Sequence, residues 1–488
     1  MNKIYIFLSL IAILISSCSD DYLVLENPNR VDSENFFKNE GDVTAAVNGV
    51  YSETQRFPQL FNLYLSEGRS NNYYSGTSNA QRDIVDISRF NVTSELKTLE
   101  EAWKYGFSVI GKANKVLSVI DGIEFNDETI KTRLEAEVRF LRAYSNFELT
   151  RTFGEIPLIT DLVSPEEALT IGRAELVEVY AFIEEDLQFA VNNLDDSYTG
   201  EDVGRITKLA AKGMLAKVYL TWGQYPLNDS GKLNSALNAL KTIIADGEMR
   251  WSFNFSNLFK VANDNKYSLF EIQYISGPSG LGATFPSEFL SSSMKEFSFN
   301  GGVPRISPSE DLVSSFDESK DWRFNPTFDT TYVDIYWQTI KQDIITKWFE
   351  SGVSLLNRSD WPHNYPILRP GEIYLMHAEA EALVQGSPTS AALESINKIR
   401  KRAGLVPLSS ISLEEFESEL LGEYRKEFVG EGVYWHYLVR SGKAVTEMNN
   451  WFTNTKQDIT ITEDNLIYPV PYSQMVIKPG LYEQNPGY

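Results

Sequence analysis

Aromatic and amide side chains stand together in one polar segment, residues 70–79, which has no helical or strand periodicity. Flat aromatic faces stack on the C–H faces of sugar rings, while amide and guanidinium groups hydrogen-bond hydroxyls. The segment is therefore predicted to contact a carbohydrate or another polar ligand. The alternative is that its tyrosine pair fixes a long loop to the core. The predicted contact residues, with the arginine that follows the segment, are Asn71, Asn72, Tyr73, Tyr74 and Arg82.

Tryptophans in an irregular part of the sequence, between about residues 251 and 366, invite the same interpretation. They are Trp322, Trp337 and Trp361, and the first two are predicted as further ligand contacts. Trp103 differs, because Trp103, Phe107 and Ile110 fall on one face of a predicted helix. We therefore expect Trp103 to be packed in the core.

No motif of a known catalytic centre is found. The sequence contains no G-x-S-x-G, H-E-x-x-H, P-loop or Rossmann pattern, and its one cysteine and three scattered histidines cannot form a Cys/His zinc site. We predict no enzyme, no cofactor and no metal; Asp229 and Asp264 lack calcium-loop spacing and are expected in solvated turns. Hydrolysis of glycosides needs only two carboxylates, so a carboxylate pair among 67 acidic residues stays open as an alternative.

The charge balance excludes one class of partner. The 488-residue chain has 44 Lys plus Arg against 67 Asp plus Glu, a formal charge of −23. Such an excess repels phosphate backbones, so nucleic acid is excluded. A hydrophobic fraction of 42% is ordinary for a globular protein, and a chain this long can bury roughly three quarters of its unfolded surface.

The amino terminus resembles the signal of a bacterial lipoprotein. An apolar run of 12 residues, 4–15, would span only ~18 Å as a helix, less than the ~30 Å of a bilayer core. Residues 1–17 are therefore predicted to be a cleaved signal peptide. The small residues before Cys18 resemble a lipobox, which predicts Cys18 as the site of lipid attachment, palmitate included; the alternative is a secretory signal with an incidental cysteine. Asp20 and Asp21 resemble an acidic signal that directs lipoproteins to the cell surface in one group of Gram-negative bacteria.

Apolar residues at helical spacing dominate from about Asp42 to Asp246 and return near the carboxy terminus. Two segments, 210–246 and 372–404, look like helical hairpins with small residues at the contact, as in tetratricopeptide repeats. The predicted fold is mainly α, with tetratricopeptide-like helix pairs packed against a loop-rich lobe containing short strands. Residues 18–488 are predicted as a single unit with three parts: about 18–250 helical, about 251–366 loop-rich and about 367–488 helical.

Six sets of residues carry a resemblance to a known family: 135–144 and 151–158, 368–369 and 372–380, 396–400, 423–442, 468–471, and 485–488. They resemble, in the same order, motifs of the SusD/RagB family of Bacteroidetes lipoproteins. Three tyrosines depart from the pattern, because Tyr424, Tyr434 and Tyr437 stand where the family usually has Arg, Arg and Asp. Those family charges are interpreted as a structural ion network, so the departures concern local packing.

The resemblance implies a surface-exposed, lipid-anchored protein of the outer membrane, with four tetratricopeptide-like helix pairs. Such a protein captures oligosaccharides, or peptides in some members, and delivers them to a partner TonB-dependent (SusC-like) transporter without chemistry. No ligand identity carries over, because the ligand loops vary within the family. Two other functions stay open: a surface glycoside hydrolase with a carboxylate pair in the loop-rich part, and a helical scaffold without a ligand.

Overall fold

The computed structural model describes residues 36–74, 81–291, 293–297, 305–350, 352–353 and 355–488. The predicted signal peptide and Cys18 lie outside these residues. Within them, no helix combines the length and apolar character needed to cross a membrane. The helices are α1 (Glu40–Glu53), α2 (Arg82–Ser88), α3 (Lys97–Ile120), α4 (Glu128–Phe153), α5 (Pro165–Ala168), α6 (Leu176–Asn193), α7 (Lys208–Trp222), α8 (Ser230–Asp246), α9 (Glu310–Ser314), α10 (Phe324–Thr327), α11 (Pro370–Gln385), α12 (Ser390–Arg402), α13 (Leu413–Glu427), α14 (Tyr434–Arg440), α15 (Ala444–Asn454) and α16 (Tyr472–Ile477).

The strands are short and form antiparallel pairs: β1 with β5, β2 with β3, β4 with β8, and β6 with β7. A π-helical stretch, Pro58–Tyr64, and short 3₁₀ turns complete the regular structure. The mainly helical fold and the loop-rich middle with short strands agree with the prediction. The strands are β1 (Tyr73–Tyr74), β2 (Ile156–Pro157), β3 (Arg173–Ala174), β4 (Phe270–Ile272), β5 (Ser307–Pro308), β6 (Phe328–Val333), β7 (Thr339–Ile345) and β8 (Tyr365–Leu368).

Helix ends follow local chemistry that the sequence shows. Ser164 and Ser412 each cap a helix, and a glutamate three residues later bonds back to the capping backbone, which is a complete capping box in both cases. Helix α4 ends at Gly154, whose φ of +74° is a conformation that glycine adopts without a steric penalty. These three helix ends are therefore set by residues next to them in the sequence.

The long helices pack against one another in chain order: α1 against α3, α3 against α4, α4 against α6, α6 against α7, and α7 against α8. Helix α8 then packs against α11, which pairs with α12. The two predicted hairpins are therefore formed as α7/α8 and α11/α12, and they adjoin each other although the whole loop-rich part separates them in sequence. The predicted packing of Trp103 is also confirmed, since its ring is buried 5.1 Å from that of Phe153.

A buried ion network joins α13 to the elements around it. The Glu427 carboxylate accepts hydrogen bonds from Arg369 at 2.5 Å, from Arg323 at 3.3 Å and from Arg402. Burial disfavours the charged carboxylate, but the guanidinium groups of Arg402, Arg369 and Arg323 outweigh burial and lower the pKa of Glu427 to about 2. The network therefore holds α13 against the elements around it.

The three tyrosines that depart from the family pattern are buried. The rings of Tyr424 and Tyr437 stack with centroids 4.1 Å apart. The Tyr424 hydroxyl donates to Glu379 at 2.8 Å, and Arg440 donates to the same carboxylate at 2.7 Å. An aromatic pair with one hydrogen-bonded charge pair therefore occupies the place where the family pattern has charged residues.

Candidate ligand-binding site

Strand β1 turns its two tyrosines in opposite directions. Tyr73 and Tyr74 pair with Pro308 and Ser307 of β5, and successive residues of a strand point to opposite faces. Tyr73 is 1% exposed, whereas Tyr74 is 49% exposed. The prediction that both rings face a ligand is therefore wrong for Tyr73, which is a core residue, and only Tyr74 presents its ring.

The two asparagines before β1 are buried and hold the strand in place. Ser309 donates to the backbone carbonyl of Asn72 through its amide at 2.8 Å, and to that of Asn71 through its hydroxyl at 2.7 Å. Arg425 of α13 donates to the Asn72 side chain at 2.8 Å. The prediction that these amides contact a ligand is corrected, because burial gives Asn71 and Asn72 a supporting role behind Tyr74.

Tyr74 stands at an open cleft of about 870 Å³, within the usual size of a ligand site. Arg82 has its side chain in solvent beside this cleft, 3.4 Å from the lining residue Asp86. The residues that line the cleft are Tyr74, Asp86, Arg89, Asn91, Pro308, Ser309, Glu310, Asp311, Trp451, Thr455, Gln457, Asp458 and Ile459.

The cleft combines rings with hydrogen-bonding groups, which suits a polyhydroxylated ligand. Carboxylates accept from hydroxyl groups, while Arg89 and the amides of Asn91 and Gln457 can donate to them. Tyr74 and Trp451 supply aromatic surface. The Asp311 carboxylate is held by Arg425 at 2.6 Å, so one acceptor of the lining is fixed in place.

Sequence reasoning missed the wall formed by α15 and the turn after it. Trp451 lies on an amphipathic helix, where aromatic residues ordinarily indicate core packing, and it is indeed largely buried. A signal was present in the sequence, because a polar run, residues 453–458, follows Trp451 and Phe452 directly. Residues 70–79 show a similar pattern, in which aromatic residues stand within a polar run.

The tryptophans of the loop-rich part have three different environments. Trp361 is fully buried and donates to the Ser287 hydroxyl at 2.8 Å, so the interpretation of its ring as a ligand platform is wrong. Trp322 is 67% exposed, and its ring lies against Gly404. Neither Trp322 nor Trp337 lines the cleft, so both stay predictions as separate contact points.

Trp337 is presented rigidly at the tip of the β6–β7 hairpin. It is 74% exposed and has a φ of +64°, a conformation that costs energy for a residue with a bulky side chain. The Asp334 carboxylate stabilises the turn by accepting from the amides of Tyr336 at 2.9 Å and Gln338 at 2.8 Å. The ammonium group of Lys295 lies over the indole. The hairpin therefore presents an ordered aromatic surface outside the cleft.

One buried carboxyl pair of the loop-rich part, Asp264 with Glu271, does not face a space of ligand size, whereas Glu310 and Asp311 of the same part line the cleft. Burial and the neighbouring Glu271 raise the pKa of Asp264 to about 8. The cavity beside Glu271 and Asn265 has a volume of about 100 Å³, too small for a sugar chain. Among the described residues, no group of three or more histidine, cysteine, aspartate or glutamate side chains is placed to hold a metal ion.

The helix array and the polar cleft define a helical protein with a broad surface site, and two family models identify it further. The model described as "SusD family" matches residues 344–488, and the model described as "Starch-binding associating with outer membrane" matches residues 21–220. The chain belongs to the SusD/RagB family, as its motifs indicated.

Relatives with similar sequences extend over nearly the whole chain. A SusD-like protein of Bacteroides ovatus is 28% identical over 473 residues, which cover 91% of this chain and 83% of the relative. SusD-like protein P2 of Formosa agariphila is 26% identical over 530 residues, which cover 100% of both chains.

Solved structures share the fold. A SusD superfamily protein of Parabacteroides distasonis superposes with a TM-score of 0.81 at 23% identity and covers 94% of this chain and 100% of that one. A laminarin-binding SusD-like protein has a TM-score of 0.76 at 23% identity, with coverages of 93% and 100%. A structure determined with a xylogluco-oligosaccharide has a TM-score of 0.76 at 25% identity, with coverages of 90% and 97%.

Proposed function

We propose that this chain is a surface-exposed glycan-binding protein that captures oligosaccharides in the cleft behind Tyr74. The observation that carries the proposal is the cleft itself, because about 870 Å³ of open space is bordered by the rings of Tyr74 and Trp451 and by carboxylate, amide and guanidinium groups. Membership of the SusD/RagB family supports it. So does the similar structure determined with a xylogluco-oligosaccharide.

The proposal includes binding without hydrolysis. Of the buried carboxyl pair Asp264 and Glu271, Glu271 borders a cavity of about 100 Å³ rather than the cleft. The relatives described above are named as SusD-like or laminarin-binding proteins, and neither description names an enzyme. Hydrolysis at the cleft carboxylates and binding of a peptide in the cleft are the alternative functions, and the ligand experiment below separates them.

The ligand experiment uses Tyr74→Ala. Loss of one stacking ring removes about 0.5 to 1.5 kcal/mol, so glycan affinity should fall roughly 2- to 12-fold, while the melting temperature should stay unchanged because Tyr74 is half-exposed. Isothermal titration calorimetry against neutral oligosaccharides, including xylogluco- and laminari-oligosaccharides, measures the affinity. Chromatography of the same mixtures measures turnover.

The matched control is Tyr472→Ala, since Tyr472 is 52% exposed and does not line the cleft. Its affinity should equal that of the parent protein. Shortened oligosaccharides in the chromatogram would show that the protein hydrolyses glycans, which would contradict the proposal of binding without hydrolysis. Unchanged affinity in Tyr74→Ala, together with a loss in Trp337→Ala, would move the site to the β6–β7 hairpin. Absence of any glycan binding, with binding of a peptide library, would favour the peptide alternative.

We further propose that a lipid on Cys18 anchors the chain at the outer face of the outer membrane, where it delivers its ligand to a SusC-like TonB-dependent transporter. The family model described as associating with the outer membrane supports this location. The protein should co-purify from mildly solubilised outer membranes with a barrel protein of much larger mass. Mass spectrometry of the affinity-purified complex checks this, with an unrelated outer-membrane lipoprotein as the control bait. A preparation without such a barrel would contradict the delivery step.

A further inference from the structure

The proposed glycan cleft is lined by carboxylates from three separate elements. Asp86 belongs to α2, Glu310 and Asp311 belong to α9, and Asp458 lies in the segment after α15. Arg89 is the only cationic side chain among the described residues that line the cleft. An oligosaccharide that fills the cleft therefore lies among acidic groups that come from several directions along the chain.

Two of these carboxylates already have cationic partners. Asp311 accepts from Arg425 at 2.6 Å, and Asp86 lies 3.4 Å from Arg82. Arg425 also donates to the Asn72 side chain at 2.8 Å, so its guanidinium is bound within the protein. An acidic ligand would have to compete with Asp86 and Asp311 for these two guanidinium groups.

The other two carboxylates, those of Glu310 and Asp458, are exposed and have no ion pair within the part of the chain that the structure describes. Burial, together with the nearby Glu310 carboxylate, raises the pKa of Asp343, so a further acidic group lies close to this wall. Lys456 precedes Asp458 in the chain by two residues but does not line the cleft. The lining charges without a partner are those of Glu310, Asp458 and Arg89, so negative charge is in excess.

We infer that the cleft discriminates between glycans by charge, and that it accepts neutral oligosaccharides and rejects those with uronate or sulfate groups. The inference rests on the proposed function, because it concerns the ligand of the same cleft. Like charges that are brought together in a binding site repel each other, and an acidic polysaccharide carries a charge on many of its rings. The formal charge of −23 on the whole chain adds a weaker repulsion at long range.

Neutral sugars meet the same carboxylates without this penalty. Their hydroxyl groups can donate to Glu310 and Asp458, and hydrogen bonds to an ionised acceptor are stronger than those between neutral groups. The carboxylates of the lining therefore favour one class of glycan and disfavour the other.

A pair of ligands that differ in charge tests the inference on the full-length protein. Each neutral oligosaccharide that binds, laminarihexaose first, is compared with the same oligosaccharide after its primary hydroxyl groups have been oxidised to carboxylates. Calorimetry at about 20 mM sodium chloride should give the oxidised form at least a ten-fold lower affinity. The difference should shrink to a few-fold at about 500 mM, because salt screens repulsion between exposed charges but does not restore a lost hydroxyl group.

A double variant shows which charges are responsible. Glu310→Gln with Asp458→Asn removes the two unpaired negative charges of the lining and keeps an oxygen acceptor at each position. The ratio of oxidised to neutral affinity should rise at least five-fold. The matched control is Glu166→Gln with Glu201→Gln, which removes two negative charges from exposed side chains outside the cleft. Its ratio should stay within two-fold of that of the parent protein.

The possible failures are distinguishable. Equal affinity for a neutral oligosaccharide and its oxidised form would overturn the inference and leave glycan capture in the cleft intact. Tighter binding of the oxidised form would also overturn it, and would indicate that Arg89 binds a ligand carboxylate. A ratio raised equally by the cleft variant and by the control would assign the discrimination to net charge rather than to the cleft. Failure of every neutral and oxidised oligosaccharide to bind would contradict the proposed function itself, and the inference with it.

Discussion

Replacing Glu427 with alanine should lower the free energy of unfolding by about 3–5 kcal/mol, the usual cost of removing one partner from a buried charge network. Glu427 is fully buried and accepts hydrogen bonds from Arg323, Arg369 and Arg402. In the variant, Arg369 keeps Glu431 and Arg323 keeps Asp321. Arg402 would retain its contact with the ring of Trp251 but lose its carboxylate.

Chemical denaturation at neutral pH measures this loss. Glu419→Ala is the matched control, because Glu419 lies on the same helix, pairs with Arg400 and is partly exposed. A pair of that kind contributes about 0–1 kcal/mol. The double variant Glu427→Ala with Arg402→Ala should recover part of the stability, since it removes the uncompensated guanidinium. A loss below 1 kcal/mol in Glu427→Ala would show that the network does not hold α13.

The same carboxylate makes the effect depend on pH. Folding lowers the pKa of Glu427 to about 2, so its stabilisation is present above its pKa in the unfolded chain and is lost as the pH falls toward 2. The stability difference between parent and variant should therefore shrink in acid. The measurement should compare the free energies of unfolding of the parent and the variant at each pH, because other groups also titrate. Burial raises the pKa of Glu67 to about 8, so the stability that Glu67 contributes is lost as the pH rises toward 8, in both proteins.

The ion network shows how far sequence reasoning reaches. The family charges at positions 424, 434 and 437 are interpreted as a structural ion network, but this chain has tyrosines there. Its buried network is instead built on Glu423, Glu427 and Glu431. The partners Arg323, Lys347 and Arg369 come from distant parts of the chain, and no local periodicity indicates which of them meet Glu427. Hydrophobic spacing predicts the helices in the same way, but the contact between α8 and α11 depends on long-range packing.

At the candidate site, composition indicates the segment but not the orientation of its side chains. The composition of residues 70–79 indicates a ligand-contacting segment, and Tyr74 does border the cleft. Composition has no period, however, so it could not show that Tyr73 and Tyr74 point to opposite faces. That alternation comes from the pairing of β1 with β5, a strand far along the chain. Trp451 was missed for a related reason, because a helical period indicates burial but not which cavity a buried ring borders.

Replacing Cys18 with alanine should abolish lipid modification of the chain. Cys18 is the only cysteine, so no other thiol can take an acyl chain. Each buried CH₂ group contributes about 0.8 kcal/mol to membrane binding, and one acyl chain alone binds only marginally, so stable anchoring depends on several chains at this residue. Metabolic labelling with palmitate should mark the parent protein and leave Cys18→Ala unlabelled.

When the same cells are fractionated, the variant should be found in the soluble fraction instead of the outer-membrane pellet. Ser19→Ala is the matched control, because it changes the neighbouring residue and keeps the thiol. Its labelling and its membrane fraction should equal those of the parent. Palmitate incorporated into Cys18→Ala would contradict the lipobox interpretation. A parent protein that is secreted without label would instead favour a secretory signal with an incidental cysteine, and attachment to the membrane would then require a partner rather than a lipid.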